Sequence, residues 1–429
     1  TKILTDPWFI DGEFYGSWAH YPPYDFNSKD FEDIDYIYIS HIHPDHCSVK
    51  TLEQLDRKIP ILIHNFHFKY LKDQIQRLGF SVIELNHNER IHLKNNLHIR
   101  ILAADNCNPE ICKKYFGCGL AEQTFGSTSI DSMCVIDNND EVIVNTNDCP
   151  FELGETSASI IKKEYGEIDF LLLGYSSATA YPQCFELNSK ELTKSQNEII
   201  LSFLSRGESY VNLFSSKYFM PFAGRYVLSG KNHALTWKKA TPELEEATNY
   251  FNNSQNINHE KNKCIILNSK SSFNITTGKI SKPYTSINLD EKKEYVSSIL
   301  SKYKYDYEYD SMPTLKEIES LISKSYERFE QIRNQLNFSS DTKIIIDLPE
   351  QQFLVMSSNG TGYEIMFTNN LPISKFLRIQ TDPKLLKRLL QGPKFAHWNN
   401  AEIGSHLMFK RMPNVYERGL FYCLNFFHA

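Results

Sequence analysis

Ile34-Asp35-Tyr36-Ile37-Tyr38-Ile39-Ser40-His41-Ile42-His43-Pro44-Asp45-His46 reads as an apolar strand that runs straight into four metal-ligating side chains. His41 and His43 lie two apart, so on an extended turn both imidazoles can reach one ion. Asp45 and His46 open the next segment and can reach a second ion nearby. Two ions roughly 3.5–4 Å apart can polarise a substrate and activate water or dioxygen between them. Mixed nitrogen and oxygen donors suit zinc, iron or manganese, whereas a thiolate-only site would be built from cysteines.

Outward from this motif, residues 1–280 alternate short β-branched runs with helical stretches, the pattern of an α/β layered domain. The expected strands are Ile37–Ser40, Ile61–His64, Ile99–Ala103, Met133–Ile136, Val142–Asn145 and Phe170–Gly174. Expected helices are Val49–Leu55, Phe68–Leu78, Ala158–Tyr165 and Ser189–Arg206. Ile3 and Leu4 begin the chain as a strand with no visible partner, and a first strand is expected upstream of Thr1. Residues 255–285 are polar, with Gly278 and Pro283, and read as a linker. Residues 286–429 then form a smaller α+β domain. Its helices are Leu289–Tyr303 and Leu315–Leu336, and its strands Lys343–Asp347, Phe353–Ser357 and Tyr363–Thr368 surround an Asn359-Gly360 turn. Pro383–Leu390 is a short helix ending at Gly392-Pro393. The alternating aromatic and charged run Tyr303–Asp310 is expected to be a solvated connector.

The bulk numbers narrow the class. A chain of 429 residues with 41% hydrophobic residues can hold two or three domains. Its net charge of −6 argues against a nucleic-acid-binding surface. No apolar run approaches the roughly 20 residues of a membrane helix, and no secretory signal is visible. Nine cysteines, an odd number beside such a motif, fit a reducing cytoplasm better than a disulfide framework.

A two-ion site needs more than its first loop. Asp148, at the end of Val142-Ile-Val-Asn-Thr-Asn-Asp148, is the best candidate for a bridging carboxylate. His233, after Arg225–Leu228 and Gly230, is the candidate distal histidine. Arg225 and Lys231 precede or flank it and can pair with a phosphate or carboxylate, as can Arg206 and Lys217. Tyr175, Tyr181 and His20 belong to loops that can roof the site. Arg411 and His406 either close over the pocket or hold the C-terminal module together. Cys107, Cys112 and Cys118 follow no metal-binding spacing and read as loop or packed cysteines.

Several strings together carry a resemblance: Thr5-Asp-Pro-Trp8, Ile37-Tyr-Ile-Ser-His-Ile-His-Pro-Asp-His46, Asn145-Thr-Asn-Asp-Cys149, Tyr181-Pro and Pro221-Phe-Ala-Gly224. They resemble the metallo-β-lactamase superfamily and, within it, the catalytic domain of the CMP-N-acetylneuraminate hydroxylases, over residues 1 to about 240. The resemblance implies a four-layer αββα sandwich with metals at the sheet edges. It carries over His41, His43, Asp45, His46, Asp148 and His233 as ligands. It departs at Asn108, which stands where that family has a further histidine; Asp105, Glu110 or a water would then supply the ligand. No Rieske Cys-x-His…Cys-x-x-His pair occurs in this chain, so either an upstream Rieske domain or a partner electron-transfer protein supplies the electrons, or the chemistry is different.

Three readings remain open from the sequence, because one fold hosts several chemistries. In the favoured one, two irons use dioxygen and an external electron donor to hydroxylate a small polar substrate, such as a nucleotide-activated sugar or an amine. In the second, two zincs hydrolyse a phosphoester, lactone or amide, with Asp45 orienting the water. In the third, the protein binds a single metal or binds metal without catalysis. None of them involves nucleic acid or a membrane.

Overall fold

A computed structural model describes residues 1–104, 131–222, 224–367 and 374–429. Two sheets stack face to face in the first 264 residues. The first is parallel throughout, in the order β1 (Ile3–Thr5), β2 (Tyr36–Tyr38), β3 (Ile61–His64), β4 (Val82–Leu85). The second holds β5 (Ile91–His92), β6 (His98–Ala103), β7 (Ser132–Asp137), β8 (Val142–Asn145), β9 (Phe170–Leu173), β10 (Tyr218–Pro221) and β11 (Lys263–Cys264), in chain order across the sheet. It is antiparallel from β5 to β8 and parallel from β8 to β11.

Period-two alternation sorts the strand side chains to opposite faces. Ile37 and Ile39 pack with Leu52, Ile61, Ile63 and Ile75 beneath helices α1 (Val49–Leu52) and α2 (Tyr70–Arg77). Tyr38 and Leu62 turn the other way and meet Ile99, Ile101 and Cys134 of the second sheet. The far face of that sheet, with Val135, Val144, Leu171 and Leu173, buries against α3 (Phe151–Tyr165), α4 (Ser189–Phe214) and α5 (Leu244–Asn253). The layers therefore run helix, sheet, sheet, helix: the αββα sandwich expected. Each fully buried Leu or Ile is worth about 1.5–3 kcal/mol, so packing rather than strand pairing holds the three-residue β2 in place.

A third sheet lies in the C-terminal part. Its order is β14 (Tyr363–Phe367), β13 (Gln352–Ser357), β12 (Lys343–Asp347), β15 (Phe376–Gln380), β16 (Met408–Met412), with β12 and β15 parallel. Chain order thus inserts β15 between β12 and β16. Helix α6 spans Leu289–Ser298. The sheet packs on α7 (Leu315–Gln335) and α8 (Pro383–Gln391) through Ile322, Phe329, Leu385 and Leu389. Two more helices, α9 (Trp398–Ile403) and α10 (Arg418–Leu424), complete this part.

Four expectations are corrected. Tyr303–Asp310 is no solvated connector: Tyr305 and Tyr307 are 0% and 1% exposed. The alternation that reads as a solvated run in fact turns both rings inward, where the Tyr305 hydroxyl donates to Ser229 O at 2.8 Å and the Tyr307 hydroxyl meets His406 Nδ1 at 3.1 Å. The linker at 255–285 contributes β11 and a small hairpin, Phe273–Asn274 with Lys279–Ile280. Ile3–Thr5 does have a partner, pairing in parallel with Tyr36–Tyr38. Helix α4 runs on to Phe214: an Asn188–Glu191 capping box starts it, and Ser215, in a left-handed conformation, ends it.

Backbone and side-chain bonds tie the C-terminal part to the sandwich. Ser17 Oγ donates to Gly404 O at 2.7 Å, and the Trp18 indole N–H to Ile403 O at 3.3 Å. His397 N–H donates to the Tyr15 hydroxyl at 2.7 Å. Trp18 stacks on Tyr226 with ring centroids 3.4 Å apart.

Candidate metal centre

The motif loop is positioned by its own short-range bonds. The chain leaves β2 at Ile39, and Asp6, just past β1, catches Ser40: one carboxylate oxygen accepts the backbone N–H and the other the hydroxyl, each at 2.7 Å. His46 N–H and Cys47 N–H then both donate to His43 O, at 3.0 and 2.8 Å, folding residues 43–47 into a tight turn. Ser48 caps α1 by accepting Thr51 N–H.

Asp148 arrives from the opposite sheet. Asn147 N–H donates to Asn145 Oδ1 at 3.0 Å, a side-chain turn that lets Asn147 take a left-handed φ of 46° and presents the next residue at the sheet edge. The two sheets are pinned beside this point. Asn147 Nδ2 donates to Tyr38 Oη and to Ser132 O, and Ser132 Oγ donates to Ser40 O at 2.8 Å.

Ligand atoms converge in two groups, His41 with His43 and Asp131, and His41 with His46 and Asp148, each within 4.8 Å of one another. Hydrogen bonds on the far side of each ring decide which nitrogen faces inward. His41 Nδ1 is 2.9 Å from Ser40 Oγ, whose proton goes to Asp6, so Nε2 is the inward atom. His46 Nδ1 is 2.9 Å from Asp6 Oδ2, which again leaves Nε2. His43 is reversed: Nε2 is 3.2 Å from Asn399 Oδ1, and Nδ1 faces His41 Nε2 at 2.9 Å. Outer-shell partners of this kind fix the tautomer and aim of metal-ligating histidines.

A single nitrogen serves one ion, so His41 Nε2 divides the cluster. Asp131 lies 3.7 Å from it. His46 Nε2 lies 3.3 Å from Asp148 Oδ2 and 3.5 Å from Asp45 Oδ2. Asp148 Oδ2 is also 4.0 Å from His41 Nε2, between the two sets. The donor atoms thus fall in two overlapping groups that share His41, with Asp45 beside the ring of His46 in the second, an arrangement with room for more than one ion.

The electrostatics differ around the cluster: burial favours the neutral ring at His41, whereas at His46 three carboxylates favour a proton that a bound cation would have to replace. His41 is fully buried, and burial with its neighbours His46 and His43 holds its pKa well below the ordinary value. It is thus the neutral imidazole a metal requires. Burial opposes charge on His46, yet Asp148, Asp45 and Asp6 around its ring raise its pKa well above the ordinary value. Burial also works against the Asp148 carboxylate, and the His46 charge reverses this and holds its pKa low. Burial, helped by Asp148 and opposed by the His46 charge, pushes the Asp45 carboxyl above the ordinary carboxylate range. The nitrogen donors line the floor, while the Asp148 side chain is 40% exposed at the mouth.

Other candidates stand elsewhere. His233 joins neither group: it sits on the 3₁₀ turn Gly230–Lys238 with its Nδ1 3.0 Å from Gly230 O. Arg225 is paired with Glu243 at 2.9 Å and Lys231 with Asp382 at 2.7 Å. The Tyr181 hydroxyl meets Ser195 Oγ at 2.7 Å, and the Arg411 guanidinium lies over its ring. Asp105, Asn108, Glu110, Cys107, Cys112 and Cys118 lie outside the described residues. Sequence reasoning did not single out Asp131, Asn399 or the role of Asp6. The signal for Asp6 was present, an acid directly after a strand in Thr5-Asp-Pro-Trp8. Asn399 carried none, lying 356 residues from His43.

Residues 1–126 match the family model of the beta-lactamase superfamily domain. A Mycobacterium tuberculosis protein named as a Rieske 2Fe-2S iron-sulfur protein is 24% identical over 232 residues, 52% of this chain and 40% of that protein. The cytidine monophosphate-N-acetylneuraminic acid hydroxylase of Danio rerio is 24% identical over 241 residues, 52% of this chain and 35% of the hydroxylase. The match thus spans less than half the length of either curated relative. Among solved structures, the isothiocyanate hydrolase from Delia radicum gut bacteria aligns over 62% of this chain and 89% of its own, with a TM-score of 0.39 and 12% identity. The chain is similar to the metallo-β-lactamase superfamily, a superfamily of metalloenzymes, and to the hydroxylase, as the motif strings led us to expect.

Proposed function

We propose that residues 1–254 are a binuclear metal-dependent catalytic domain, with 286–429 as a second domain docked on it, and that the protein is a di-iron oxygenase. Its substrate is a small polar molecule such as a nucleotide-activated sugar or an amine, and its electrons come from an external donor. The observation that carries this reading is the convergence of ligand atoms in two groups that share His41, with Asp148 reaching both His46 and His41. Two ions held there, when bound, supply Lewis acidity and the activation of dioxygen or water. Two histidines with one carboxylate, the composition of the His41, His43 and Asp131 set, is a donor type that suits non-haem iron. The names of the curated relatives, a hydroxylase and a Rieske protein, support oxidation with an electron-transfer partner over hydrolysis.

The chain's own residues do the positioning. Asp6 and Ser40 hold His46 and His41 in one tautomer, and Asn399 does so for His43. The buried histidines keep water from the floor, and Asp148 marks the side from which a substrate enters. Among the described residues no helix is long and apolar enough to cross a membrane. The described cysteines are all free, in keeping with a reducing cytoplasm.

The test is metal content on anaerobically purified protein, with oxygen uptake followed in parallel. About two irons per chain with uptake on adding a reductant support the reading. Two zincs and no uptake overturn it in favour of the hydrolase, to be pursued with phosphodiesters, lactones and amides.

A further inference from the structure

Away from the metal centre, the polar face of α8 lines a cavity of about 480 Å³ together with Asp310, Ser311, Lys394 and Phe395. That volume lies within the range of small-molecule sites. Its charge is the unusual part: Lys384, Lys387, Arg388 and Lys394 face one lining carboxylate, Asp310, in a chain whose net charge is −6. An amphipathic helix ordinarily turns its charges to open water. Here Leu385, Leu386, Leu389 and Leu390 fix the buried face, and the opposite face forms the floor of an open depression flanked by residues 310–311 and 394–395.

The cations are not equally engaged. Arg388 forms a two-pronged pair with Asp310, at 2.6 and 2.7 Å, and so buttresses the wall. Lys387 pairs with Glu317 at 2.6 Å. Lys384 donates to a neutral carbonyl, Glu308 O, at 2.8 Å, and its charge adds to those around Asp310 without a direct ion pair among the described residues. Lys394 makes no ion pair among the described residues. Two ammonium groups are left to meet an anion, with the Ser311 hydroxyl and the Gln391 amide as further donors. Lys384 also lies three and four residues before Lys387 and Arg388, spacings at which like charges on a helix repel. A multiply charged oxyanion relieves that repulsion and can meet the donors of Lys384, Lys394, Ser311 and Gln391. Phe395, 51% exposed at the rim, offers an apolar surface to an organic group attached to it.

We infer that this cavity binds a phosphoryl group, free or carried on an organic molecule. The probes are inorganic phosphate and phenyl phosphate, titrated calorimetrically into the whole chain at 150 mM salt, where scattered surface charge is largely screened. Saturable binding of either probe is expected, weakened about tenfold by Lys384→Gln and by Lys394→Gln and lost in the double variant. Tighter phenyl phosphate binding that Phe395→Ala removes identifies an organic phosphate as the source; equal affinities identify free phosphate. Melting temperatures within a degree or so of the parent protein show that the variants are folded. Absence of saturable binding by both probes, or binding undiminished in the folded double variant, overturns the inference. The assay reads binding alone, so its failure leaves the proposed metal chemistry untouched.

Discussion

The carboxylate of Asp6 lies 2.9 Å from Nδ1 of His46 while it also holds the backbone N–H and hydroxyl of Ser40. One residue outside the motif thereby orients two candidate ligands inside it, His46 directly and His41 through Ser40. Losing a second layer of this kind typically costs 10–100-fold in metal affinity. Asp6→Ala is therefore expected to weaken metal binding by about that factor, read by competition with a chromophoric chelator. An unchanged affinity would show that the two histidines hold their orientation without it.

The division of ligands at His41 Nε2 predicts how ions are lost. Asp131→Asn and Asp148→Asn should each lower the metal content from about two ions per chain to about one after dialysis, since each removes an anionic donor from one set. His233→Ala should keep both ions, because that ring is bonded to Gly230 O and joins neither set. Elemental analysis of the three variants decides it: a dialysed Asp148→Asn protein that retains two ions sinks the assignment of Asp148.

What was legible in the sequence was local. Ile37, Tyr38 and Ile39 announce a strand buried on both faces by their alternation, and the four donors behind it announce their chemistry by spacing. The limits of α4 follow from short-range signals too, though the Asn188–Glu191 box is easier to read than the left-handed Ser215. What was not legible depends on partners far along the chain. Asp6 meets His46 across 40 residues and Asn399 meets His43 across 356. Tyr305 and Tyr307 look solvated beside Asp306 and Glu308 until His406 and Ser229 arrive to take their hydroxyls.

Gly174, directly after β9, passes so close to the Asp148 loop that a Cβ there would lie 2.8 Å from Asn147 O. The obstacle is backbone, so it cannot swing aside as a side chain would. Gly174→Ala should push the loop outward, costing about 1–3 kcal/mol of stability and weakening the metal set that contains Asp148. Denaturant unfolding and chelator competition test the two effects separately. Parent-like values in both would mean that the loop yields freely.

His406 joins the two halves of the molecule: its Nε2 donates to Phe14 O at 2.7 Å and its Nδ1 meets the Tyr307 hydroxyl at 3.1 Å. The Nε2–H tautomer makes both bonds with Nδ1 accepting from Tyr307, and burial pushes the ring's pKa down from 6.5 to about 4. Between those values the unfolded chain binds a proton that the folded chain refuses. The contribution is therefore complete above pH 6.5 and is lost as pH falls toward 4. At 1.36 kcal/mol per pH unit the loss reaches about 3 kcal/mol. His406→Gln can keep a donor and an acceptor but has no proton to gain. Its unfolding free energy should fall less between pH 7.5 and pH 4.5 than that of the parent protein, by most of that amount. An equal fall in both proteins would place the acid sensitivity on other histidines.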